Sequence, residues 1–410
     1  SILKIVRAAS SELDVAITLS MAFARNSLEF PELEEMVNGA LALAQSRGGD
    51  QVAIKTYGED VIYMGGNSEA VEKRSKVRAR VMAQTLKELI NQSSNVLILG
   101  HKEMDFDCFG AAVVLSRIVK SSGVPVSIVM HGALEEKLSM AYHDKRDLFL
   151  EQHHFVQEHE TYSLINDKTL LVMVDHHLAS QSTLPNLLEK VKKIAVIDHH
   201  RRNQDFTFNP LLVYMETAAS STTEMIAELI PYQQRTIEMT SDEANFALTG
   251  ILLDTNRFRT RTGSRTFEVA ALLKQYGADP IICDGYLKEN FQDFILKAKM
   301  IQNLKRFDRG IVVASMPDDT IVSRAMISQA ANRLIEVKEV EAAFVLSKIS
   351  EKTVGVSARS NGNINVHVIM EKMSGGGHFT AAALQRENSS VEEVFSELEM
   401  VIEQWLAQEV

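Results

Sequence analysis

The sequence predicts a multi-domain α/β protein built around a parallel β-sheet. Between about residues 94 and 280, apolar runs typical of strands alternate with helical stretches, and connections of this length join parallel strands. Four apolar runs in this region lead into polar residues of kinds that bind metals, namely His101, Asp175, Asp198 and Asp254. With 410 residues, 45% of them hydrophobic, the chain is long enough for two or three domains.

Composition narrows the classes of function. The formal net charge is -11 and no run of Lys and Arg stands out, so we predict no binding to long nucleic acid, although a local phosphate pocket is compatible with this charge. Two cysteines, Cys108 and Cys283, give no disulfide framework and indicate a reducing, cytoplasmic compartment. We find neither a signal peptide nor an apolar run of the roughly 18 residues that a membrane helix needs. Because the chain begins at Ser1 without Met, we expect a fragment of a longer protein.

The first segment is predicted to form a small α/β unit. LDVAITLSMAF alternates like a strand, PELEEMVNGALALAQSR has apolar residues at helical spacing, and QVAIKTYGEDVIYMGG is typical of a hairpin. Gly48, Gly49, Asp50 and Gln51 are predicted to form a tight turn between helix and hairpin, and their spacing alone indicates an ordinary glycine turn. The charged helical stretch over about residues 72–91 is predicted to be a connector with a solvated polar face.

The residues at the predicted strand ends suit hard divalent cations. His101 is followed by Asp105 and Asp107 in the loop HKEMDFD, where alternate residues can direct two carboxylates to one point. Carboxylates and imidazoles without thiolates favour Mn²⁺ or Mg²⁺ over structural zinc. These carboxylates and imidazoles are too many for one ion, so we predict two ions. Two neighbouring ions suit an in-line displacement at a phosphoryl group. The candidate ligands are His101, Asp105, Asp107, Asp175, Asp198, His199 and Asp254.

Each of these residues also has a structural interpretation. A single aspartate after a buried strand commonly caps the next helix, but the same chemistry at four strand ends favours a metal site.

Two pairs of adjacent histidines also occur in this region of the chain. His153 and His154 are predicted to lie solvated on a helix, where adjacent side chains diverge by about 100°. His176 and His177 follow Asp175, and one of them could face the site.

The C-terminal unit, residues 309–410, is predicted to recognise a substrate rather than to supply chemistry. Its strands GIVVASM, AAFVLSKI and TVGVSARS and a final amphipathic helix give it a core of its own. The glycines at 375–377 can let the backbone approach a phosphate, although such a run is also typical of a flexible loop. Arg359 offers a guanidinium fork to a phosphate, with Ser360 beside it.

Several motifs together resemble a known family. VIDHH at 196–200, the upstream HxxxDxD loop, VDHH at 174–177 and GILLDT around Asp254 resemble the DHH phosphoesterase superfamily. SGGGH at 374–378, with SARSNG before it, resembles the partner DHHA1 domain, and the N-terminal GGDQ resembles a degenerate GGDEF domain. This order of domains is similar to the GdpP-type cyclic-di-AMP phosphodiesterases of Gram-positive bacteria.

The resemblance implies a role for each site residue. One manganese ion would be held by His101, Asp105 and Asp175, with Asp175 bridging to a second ion. The second ion would be held by Asp107, Asp175, His199 and Asp254. Asp198 would orient the ligand imidazoles, and His200 would face the scissile phosphate as a catalytic residue. Substrate contacts would come from His177, Arg359, Ser360, Gly375, Gly376, Gly377 and His378.

The resemblance also implies domain boundaries and a reaction. The boundaries are 1–84 for the GGDEF-like domain, 85–290 for the DHH domain, 291–308 for a helical linker and 309–410 for the DHHA1 domain. The expected reaction is manganese-dependent hydrolysis of cyclic di-AMP to linear 5′-pApA, which lowers the level of this second messenger. Gln51 and Val52 replace the Glu and Phe of the GGDEF motif, so the first domain is predicted to be regulatory. The full-length protein would be anchored in the cell membrane by missing N-terminal helices, and a homodimer is left open.

Two other functions remain open. Hydrolysis of short linear oligonucleotides such as pApA is the nearest enzymatic alternative. A cyclic-dinucleotide sensor built on an inactive hydrolase is the non-catalytic one, and the filled metal positions argue against it.

Overall fold

The computed structural model describes Ile2, Val6 and residues 19–27, 29–46, 51–59, 61–65, 76–201, 206–302 and 304–408. The chain divides into two compact units, Ser1–Lys288 and Glu289–Val410. In the described part of the chain, no helix combines the length and the apolar character needed to cross a membrane. The predicted turn at Gly48, Gly49 and Asp50 lies outside the described residues, and Gln51 is the first residue of a strand.

The first unit begins with a three-stranded sheet of order β1-β2-β3. Strand β1 (Met21–Arg25) runs parallel to β2 (Gln51–Thr56), and β2 is antiparallel to β3 (Ile62–Gly65). Helix α1 (Phe30–Ser46) joins β1 to β2, as the sequence predicted, and Ala40, Ala44 and Ala53 form a small buried cluster.

Helix α2 (Lys76–Asn91) occupies the stretch that was predicted to be a connector. Its buried residues, Ala79, Ala83, Leu86 and Ile90, recur at intervals of three or four and belong to the main core of the first unit. One face of this helix is therefore packed against the core, and only the other face matches the solvated surface that was predicted.

The centre of the first unit is a six-stranded parallel sheet of order β11-β10-β9-β4-β6-β8, which confirms the predicted parallel sheet. Strands β4, β9 and β10 are almost entirely buried, as expected where helices cover both faces. The bounds are β4 (Asn95–Leu99), β6 (Val126–Val129), β8 (Phe155–Val156), β9 (Thr169–Val174), β10 (Lys193–Asp198) and β11 (Leu212–Met215), with a separate parallel pair of β5 (Glu103–Met104) and β7 (Ala133–Leu134).

The first unit contains seven further helices within the described residues. They are α3 (Phe106–Ser121), α4 (Glu136–Gln152), α5 (Glu158–Ser163), α6 (Thr222–Ala227), α7 (Ser241–Asp254), α8 (Ser264–Gln275) and α9 (Pro280–Tyr286).

The run GILL before Asp254 is helical, so the prediction that it forms a strand is wrong. Thr240 and Glu243 form a capping box that starts α7, and the helix continues through Asp254. A short apolar run cannot be assigned to a strand or a buried helix by periodicity alone. Asp254 therefore reaches the edge of the sheet from a helix C-terminus.

Two glycines allow helices α3 and α7 to approach closely. A Cβ atom at Gly250 would lie 2.7 Å from the Cα of Asp107, and one at Gly110 would lie 2.9 Å from the Cα of Ala247. Because no other residue lacks a Cβ atom, these positions require glycine. The close packing brings Asp107, in the first turn of α3, to the region where α7 ends at Asp254.

The second unit contains a mixed six-stranded sheet of order β12-β13-β14-β15-β17-β16. Strands β13 and β14 are parallel, and the other neighbouring pairs are antiparallel, which confirms a mixed α/β unit. The strands are β12 (Leu304–Arg306), β13 (Ile311–Ser315), β14 (Ala342–Ser350), β15 (Thr353–Ser360), β16 (Gly376–His378) and β17 (Ala381–Glu387). The helices are α10 (Phe291–Gln302), α11 (Arg324–Ile335), α12 (Val366–Lys372) and α13 (Val391–Gln408).

Candidate metal centre

The candidate ligands meet at the carboxyl edge of the parallel sheet. His101 lies two residues after β4, and Asp175 and His199 directly follow β9 and β10. Because these strands are adjacent in the order β10-β9-β4, Asp175 lies between the two histidines. Asp107 joins them from the start of α3, and Asp254 from the end of α7.

Asp175 occupies a strained position at this edge. Its φ is 63°, in the left-handed region that non-glycine residues rarely adopt. Its backbone N–H donates to the carbonyl of Ile197 over 3.0 Å, which fixes the turn at the end of β9. Strain of this kind clusters at functional sites, where surrounding contacts enforce it.

His199 is the centre of the most compact group of side chains. Its Nε2 lies 3.1 Å from Asp254 Oδ2, 3.5 Å from Asp175 Oδ1 and 3.9 Å from Asp107 Oδ2. The residue is only 5% exposed, and within the described residues its Nε2 has no hydrogen-bond partner. A buried nitrogen without a partner among three carboxylates fits a divalent cation held by nitrogen and oxygen ligands.

His101 and Asp105 are less tightly assembled. His101 Nε2 lies 3.4 Å from Asp175 Oδ2 and 3.8 Å from Asp105 Oδ1. Asp105 also caps α3, since its Oδ1 accepts the backbone N–H groups of Asp107 and Cys108 at 2.9 and 3.0 Å. Asp105 therefore caps the helix through Oδ1, and its other carboxylate oxygen takes no part in the cap.

Cys108 lies beside these ligands, and the sequence pattern did not single it out. Its sulfur, a nitrogen of His101 and an oxygen of Asp175 lie within 4.8 Å of one another. Burial raises the pKa of the Cys108 thiol to about 12, and the thiol donates to the carbonyl of Val174 over 3.6 Å. Cys108 therefore borders His101 and Asp175 without being one of the predicted ligands.

Asp198 forms hydrogen bonds with two histidines, but His199 is not one of them. Its Oδ2 lies 2.5 Å from Nδ1 of His177, and its Oδ1 lies 2.8 Å from Nδ1 of His200. Burial raises the pKa of Asp198, but the hydrogen bonds from both histidines outweigh burial and hold the pKa well below its usual range. Asp198 thus orients His177 and His200, whereas the prediction had it orient the ligand imidazoles.

The two partners of Asp198 differ in accessibility. The side chain of His200 is 54% exposed, so its ring can meet a ligand from solvent. His177 is buried, with its Nε2 lacking a hydrogen-bond partner among the described residues. This environment does not favour the substrate phosphate contact that we predicted for His177. His176 is also buried, between the carbonyl of Val174 and the hydroxyl of Ser182.

The other histidine pair differs from the prediction. His153 is buried, not solvated, with Nε2 2.5 Å from Glu243 Oε1 and Nδ1 2.9 Å from the hydroxyl of Ser116. His154 is exposed, with Nδ1 2.8 Å from the hydroxyl of Ser127. The helix ends at Gln152, so both residues lie beyond it, and the helical argument does not apply to them.

The start of α6 holds two of the carboxylates in place. The backbone N–H groups of Thr222 and Thr223 donate to Oδ2 and Oδ1 of Asp107 over 2.7 and 2.8 Å. The hydroxyl of Thr222 also donates to Oδ1 of Asp175 over 3.0 Å. The sequence interpretation missed this support, although Ser221 and Glu224 form a helix-start pattern that could have pointed to it.

The crowding of carboxylates shapes the electrostatics of the centre. Burial, followed by the charge of Asp254, raises the pKa of Asp107 to about 6, and burial with neighbouring carboxylates raises that of Asp175 well above its usual value. Burial lowers the pKa of His199, but Asp254 and Asp107 outweigh it and raise the pKa to about 9. Carboxylates that repel one another in this way favour a bound cation, so the residues fit the predicted metals.

In the second unit, Arg359 and two of the predicted glycines line one cavity of about 350 Å³. Arg359 donates to Ser328 Oγ over 2.5 Å and to Asn332 Oδ1 over 3.0 Å. Gly376 and Gly377 lie in the cavity wall. Ser360 is buried and accepts the N–H of Gly362 over 3.3 Å.

Gly376 and Gly377 lie in strand β16, and Gly375 directly precedes it. Gly376 and Gly377 pair with β17, and a Cβ atom at Gly377, whose φ is 148°, would lie 2.4 Å from the carbonyl oxygen of Ala381. A Cβ atom at Gly375 would lie 2.8 Å from the carbonyl oxygen of Ala383. Two of the three glycines are thus required by strand packing, and only Gly376 has open space around its Cα. His378 ends β16 and is exposed.

Family models match three segments of the chain. They are the Cyclic-di-AMP phosphodiesterase GdpP-like, GGDEF domain over residues 1–62, the DHH family, N-terminal domain over 95–251, and the DHHA1 domain over 308–408. The chain contains a DHH-family domain. More specifically, it has the DHHA1 and GdpP-like GGDEF domains that the sequence motifs indicated.

Curated relatives of this DHH protein extend over nearly its whole length. It is 40% identical over 411 residues to the cyclic-di-AMP phosphodiesterase GdpP of Bacillus subtilis. The alignment covers 99% of this chain and 62% of that protein. It is 35% identical to the cyclic-di-AMP phosphodiesterase PdeA of Listeria monocytogenes, covering 97% of this chain and 61% of that protein. The DHH chain thus spans about 61 to 62% of the length of these relatives.

A solved structure supports the fold of the DHH protein. The exopolyphosphatase-related protein from Bacteroides fragilis superposes with a TM-score of 0.62 at 18% identity. The match covers 80% of this chain and 96% of that structure. At this identity the likeness concerns the fold alone.

Proposed function

We propose that this chain is a metal-dependent phosphodiesterase that hydrolyses cyclic di-AMP to linear 5′-pApA. The observation that carries the proposal is the buried Nε2 of His199, which lacks a partner in the described structure and lies 3.1 to 3.9 Å from oxygens of three carboxylates. The substrate is taken from the names of the GdpP and PdeA relatives, at 40% and 35% identity.

The proposed ligand sets follow the predicted roles. His101, Asp105 and Asp175 would hold one Mn²⁺, while His199, Asp107 and Asp254 would share Asp175 with the second. Oxygen and imidazole ligands suit Mn²⁺ or Mg²⁺. When bound, such ions lower the pKa of a water molecule and offset negative charge on phosphoryl oxygens.

His200 is the proposed proton donor. Its Nδ1 is bonded to Oδ1 of Asp198, and its ring is half exposed, so Nε2 is available to a substrate. The hydrogen bond to Asp198 holds the ring of His200 in one orientation. A proton on Nε2 of His200 would then pass to the leaving 3′ oxygen as the ring of cyclic di-AMP opens.

The second unit is proposed to bind substrate. Arg359 has the planar fork that suits a phosphate, and its contacts with Ser328 and Asn332 hold it against the wall that includes Gly376 and Gly377. Ser360, Gly375 and His378 belong to the same proposal, but the packing of Ser360 and Gly375 favours a structural contribution from these two.

The first domain is proposed to be regulatory. Gln51, at the position of the acidic residue of the GGDEF motif, is buried and donates to the carbonyl of Ala44 over 3.1 Å. Its side chain therefore supports the packing of β2 on α1 and does not offer a carboxylate to a metal. We retain the boundaries 1–84, 85–290, 291–308 and 309–410 as part of the proposal.

Location and assembly are further parts of the proposal. A phytoplasma relative that is 32% identical over 404 residues is named a membrane protein-large ribosomal subunit bL9 fusion protein. We propose that a longer form of this protein is held at the cell membrane, and that it acts as a homodimer on cyclic di-AMP. Membrane fractionation of the longer form and light scattering of this chain test the two statements.

Product analysis tests the reaction. The purified chain is incubated with Mn²⁺ and either cyclic di-AMP, cyclic di-GMP or pApA, and the products are separated by chromatography. Preferential conversion of cyclic di-AMP to pApA supports the proposal. No hydrolysis of any of the three would instead support the sensor alternative.

Hydrolysis of linear oligonucleotides is the second candidate function. A relative from Thermus thermophilus named bifunctional oligoribonuclease and PAP phosphatase NrnA is 27% identical over 184 residues, or 44% of this chain. Faster manganese-supported cleavage of pApA than of cyclic di-AMP would favour this second candidate.

A further inference from the structure

The segment that follows Asp254 is rich in arginine and strained in its backbone. Residues 256–264, here named the basic turn, have the sequence NRFRTRTGS, with three arginines and no acidic residue in a chain of net charge -11. Asn256, Arg257 and Phe258 have φ values of 46°, 58° and 61°, and Arg261 has a φ of 51°. Non-glycine residues rarely adopt this conformation, and such strain concentrates where a site must be held in shape.

Hydrogen bonds hold the basic turn in this conformation. The carbonyl of buried Thr255 accepts the N–H groups of Arg259 and Thr260, both over 2.9 Å, and its hydroxyl accepts the N–H of Phe258 over 2.9 Å. The N–H of Arg257 donates to the carbonyl of Leu252 over 2.7 Å. The arginines therefore project from a defined backbone.

Both ends of the basic turn are fixed close to the metal centre. At one end it begins two residues after Asp254. Beyond the other end, the hydroxyl of Thr266 donates to Glu224 Oε2 over 2.7 Å, and Glu224 belongs to the same short helix as Thr222, which bonds to Asp107. The basic turn is thus joined at one end to Asp254 and beyond the other end, through Glu224, to the helix that holds Asp107.

The charges of the basic turn are exposed. Arg257 forms an ion pair with Asp284, and the side chains of Arg259 and Arg261 are also exposed. Among the residues that the structure describes, Arg261 has no hydrogen bond or ion pair. A guanidinium fork on an ordered backbone suits the oxygens of a phosphate group.

We propose that the basic turn binds the non-reacting phosphate of a two-phosphate substrate, with Arg259 and Arg261 as the contacts. The inference rests on the proposed phosphodiesterase function and adds a phosphate subsite to it. One phosphate of a cyclic dinucleotide would react at the metal centre, and the other would meet the basic turn. A diester with a single phosphate would gain nothing from these arginines.

The test compares an arginine variant with a matched control in the whole chain. The double variant Arg259→Gln, Arg261→Gln removes both charges from the basic turn, and Arg80→Gln removes an exposed charge from α2. Binding of cyclic di-AMP is measured by calorimetry with Ca²⁺ in place of Mn²⁺, and steady-state kinetics are measured with Mn²⁺. Bis(p-nitrophenyl) phosphate serves as the single-phosphate substrate.

We expect the double variant to bind cyclic di-AMP at least about tenfold more weakly than the wild type, with a similar rise in KM. The kcat/KM of the double variant for bis(p-nitrophenyl) phosphate should equal that of the wild type. The Kd of Arg80→Gln for cyclic di-AMP should also be unchanged. Because Arg261→Lys keeps the charge but loses the fork, it should show an intermediate loss. Unchanged circular dichroism establishes that the variants are folded.

The possible outcomes separate this inference from the proposed function. If the double variant binds and hydrolyses cyclic di-AMP like the wild type, the inference fails and the phosphodiesterase stands. If the wild type binds the dinucleotide more tightly than the double variant but hydrolyses nothing, the phosphate subsite stands and the proposed reaction fails. If the wild type neither binds nor hydrolyses it, both are overturned.

Discussion

The hydroxyl of Thr222 donates a hydrogen bond to Oδ1 of Asp175 over 3.0 Å, and both residues are buried. The backbone N–H of the same Thr222 donates to Oδ2 of Asp107 over 2.7 Å. One residue therefore fixes two carboxylates that approach from different elements, the end of β9 and the start of α3. Groups that orient metal ligands in this way commonly change metal affinity 10- to 100-fold when they are removed.

Replacement of Thr222 by Val should weaken metal binding. Valine keeps the shape of the side chain and the backbone N–H but removes the hydroxyl donor to Asp175. We expect a Kd for Mn²⁺ about tenfold higher than that of the wild type, measured by electron paramagnetic resonance. Thr222→Ser, which retains the hydroxyl, is the matched control and should bind Mn²⁺ normally. Equal affinity in Thr222→Val and Thr222→Ser would show that the hydroxyl does not contribute.

The network around Glu243 should make stability depend on pH. Arg117 donates to Oε1 and Oε2 of Glu243 over 2.6 and 2.8 Å, and His153 Nε2 lies 2.5 Å from Oε1. Burial raises the pKa of Glu243, but the bonds to His153 and Arg117 outweigh burial and lower it from 4.5 to about 2. The stabilisation is therefore complete above pH 4.5 and is lost as the pH falls toward 2.

Replacement of Glu243 by Gln should remove this pH dependence. At pH 7 the variant should lose about 3 kcal/mol of unfolding free energy, because the charge of Arg117, whose side chain is only 12% exposed, loses its partner. Urea denaturation with EDTA present, repeated from pH 7 to pH 2, measures both effects without a metal contribution. Glu151→Gln changes an exposed glutamate on α4 and should leave the curve unaltered. If Glu243→Gln lost as much unfolding free energy between pH 4.5 and 2 as the wild type, Glu243 would not be the source of this pH dependence.

Replacement of Gly250 by Ala should separate α3 from α7. The new Cβ atom would lie 2.7 Å from the Cα of Asp107, so one helix must shift. Overpacking of this kind costs about 1 to 3 kcal/mol, and the shift should also weaken Mn²⁺ binding because Asp107 and Asp254 move apart. Thermal unfolding and Mn²⁺ titration measure the two losses. Gly285→Ala, where a Cβ atom has open space, is the control and should be stable.

The sequence predicted the parts of the site that depend on strand periodicity. His101, Asp175 and His199 follow buried strands of a parallel sheet, and their meeting at one edge follows from that topology. Asp254 also lies close to His199, although its run GILL is the end of a helix. A buried helix turn and a buried strand have the same apolar composition, so only the capping box upstream distinguishes them.

The remaining features depend on three-dimensional contacts that no local pattern encodes. The hydrogen bonds from Thr222 to Asp107 and Asp175 join residues far apart in the chain, and one of them uses a backbone N–H group. The burial of His153 depends on Glu243, which lies 90 positions later. The pairing of Gly377 with β17 likewise requires the sheet of the second unit.

We propose that Asp175 joins two metal sites of a cyclic-di-AMP phosphodiesterase. Chromatographic analysis of cyclic di-AMP incubated with Mn²⁺ and either the wild type or Asp175→Ala tests it most directly, with circular dichroism as the measure of folding. The wild type should produce 5′-pApA, and Asp175→Ala should be folded and form no product, because both proposed sites lose a ligand. Full manganese-dependent turnover by Asp175→Ala would contradict the account.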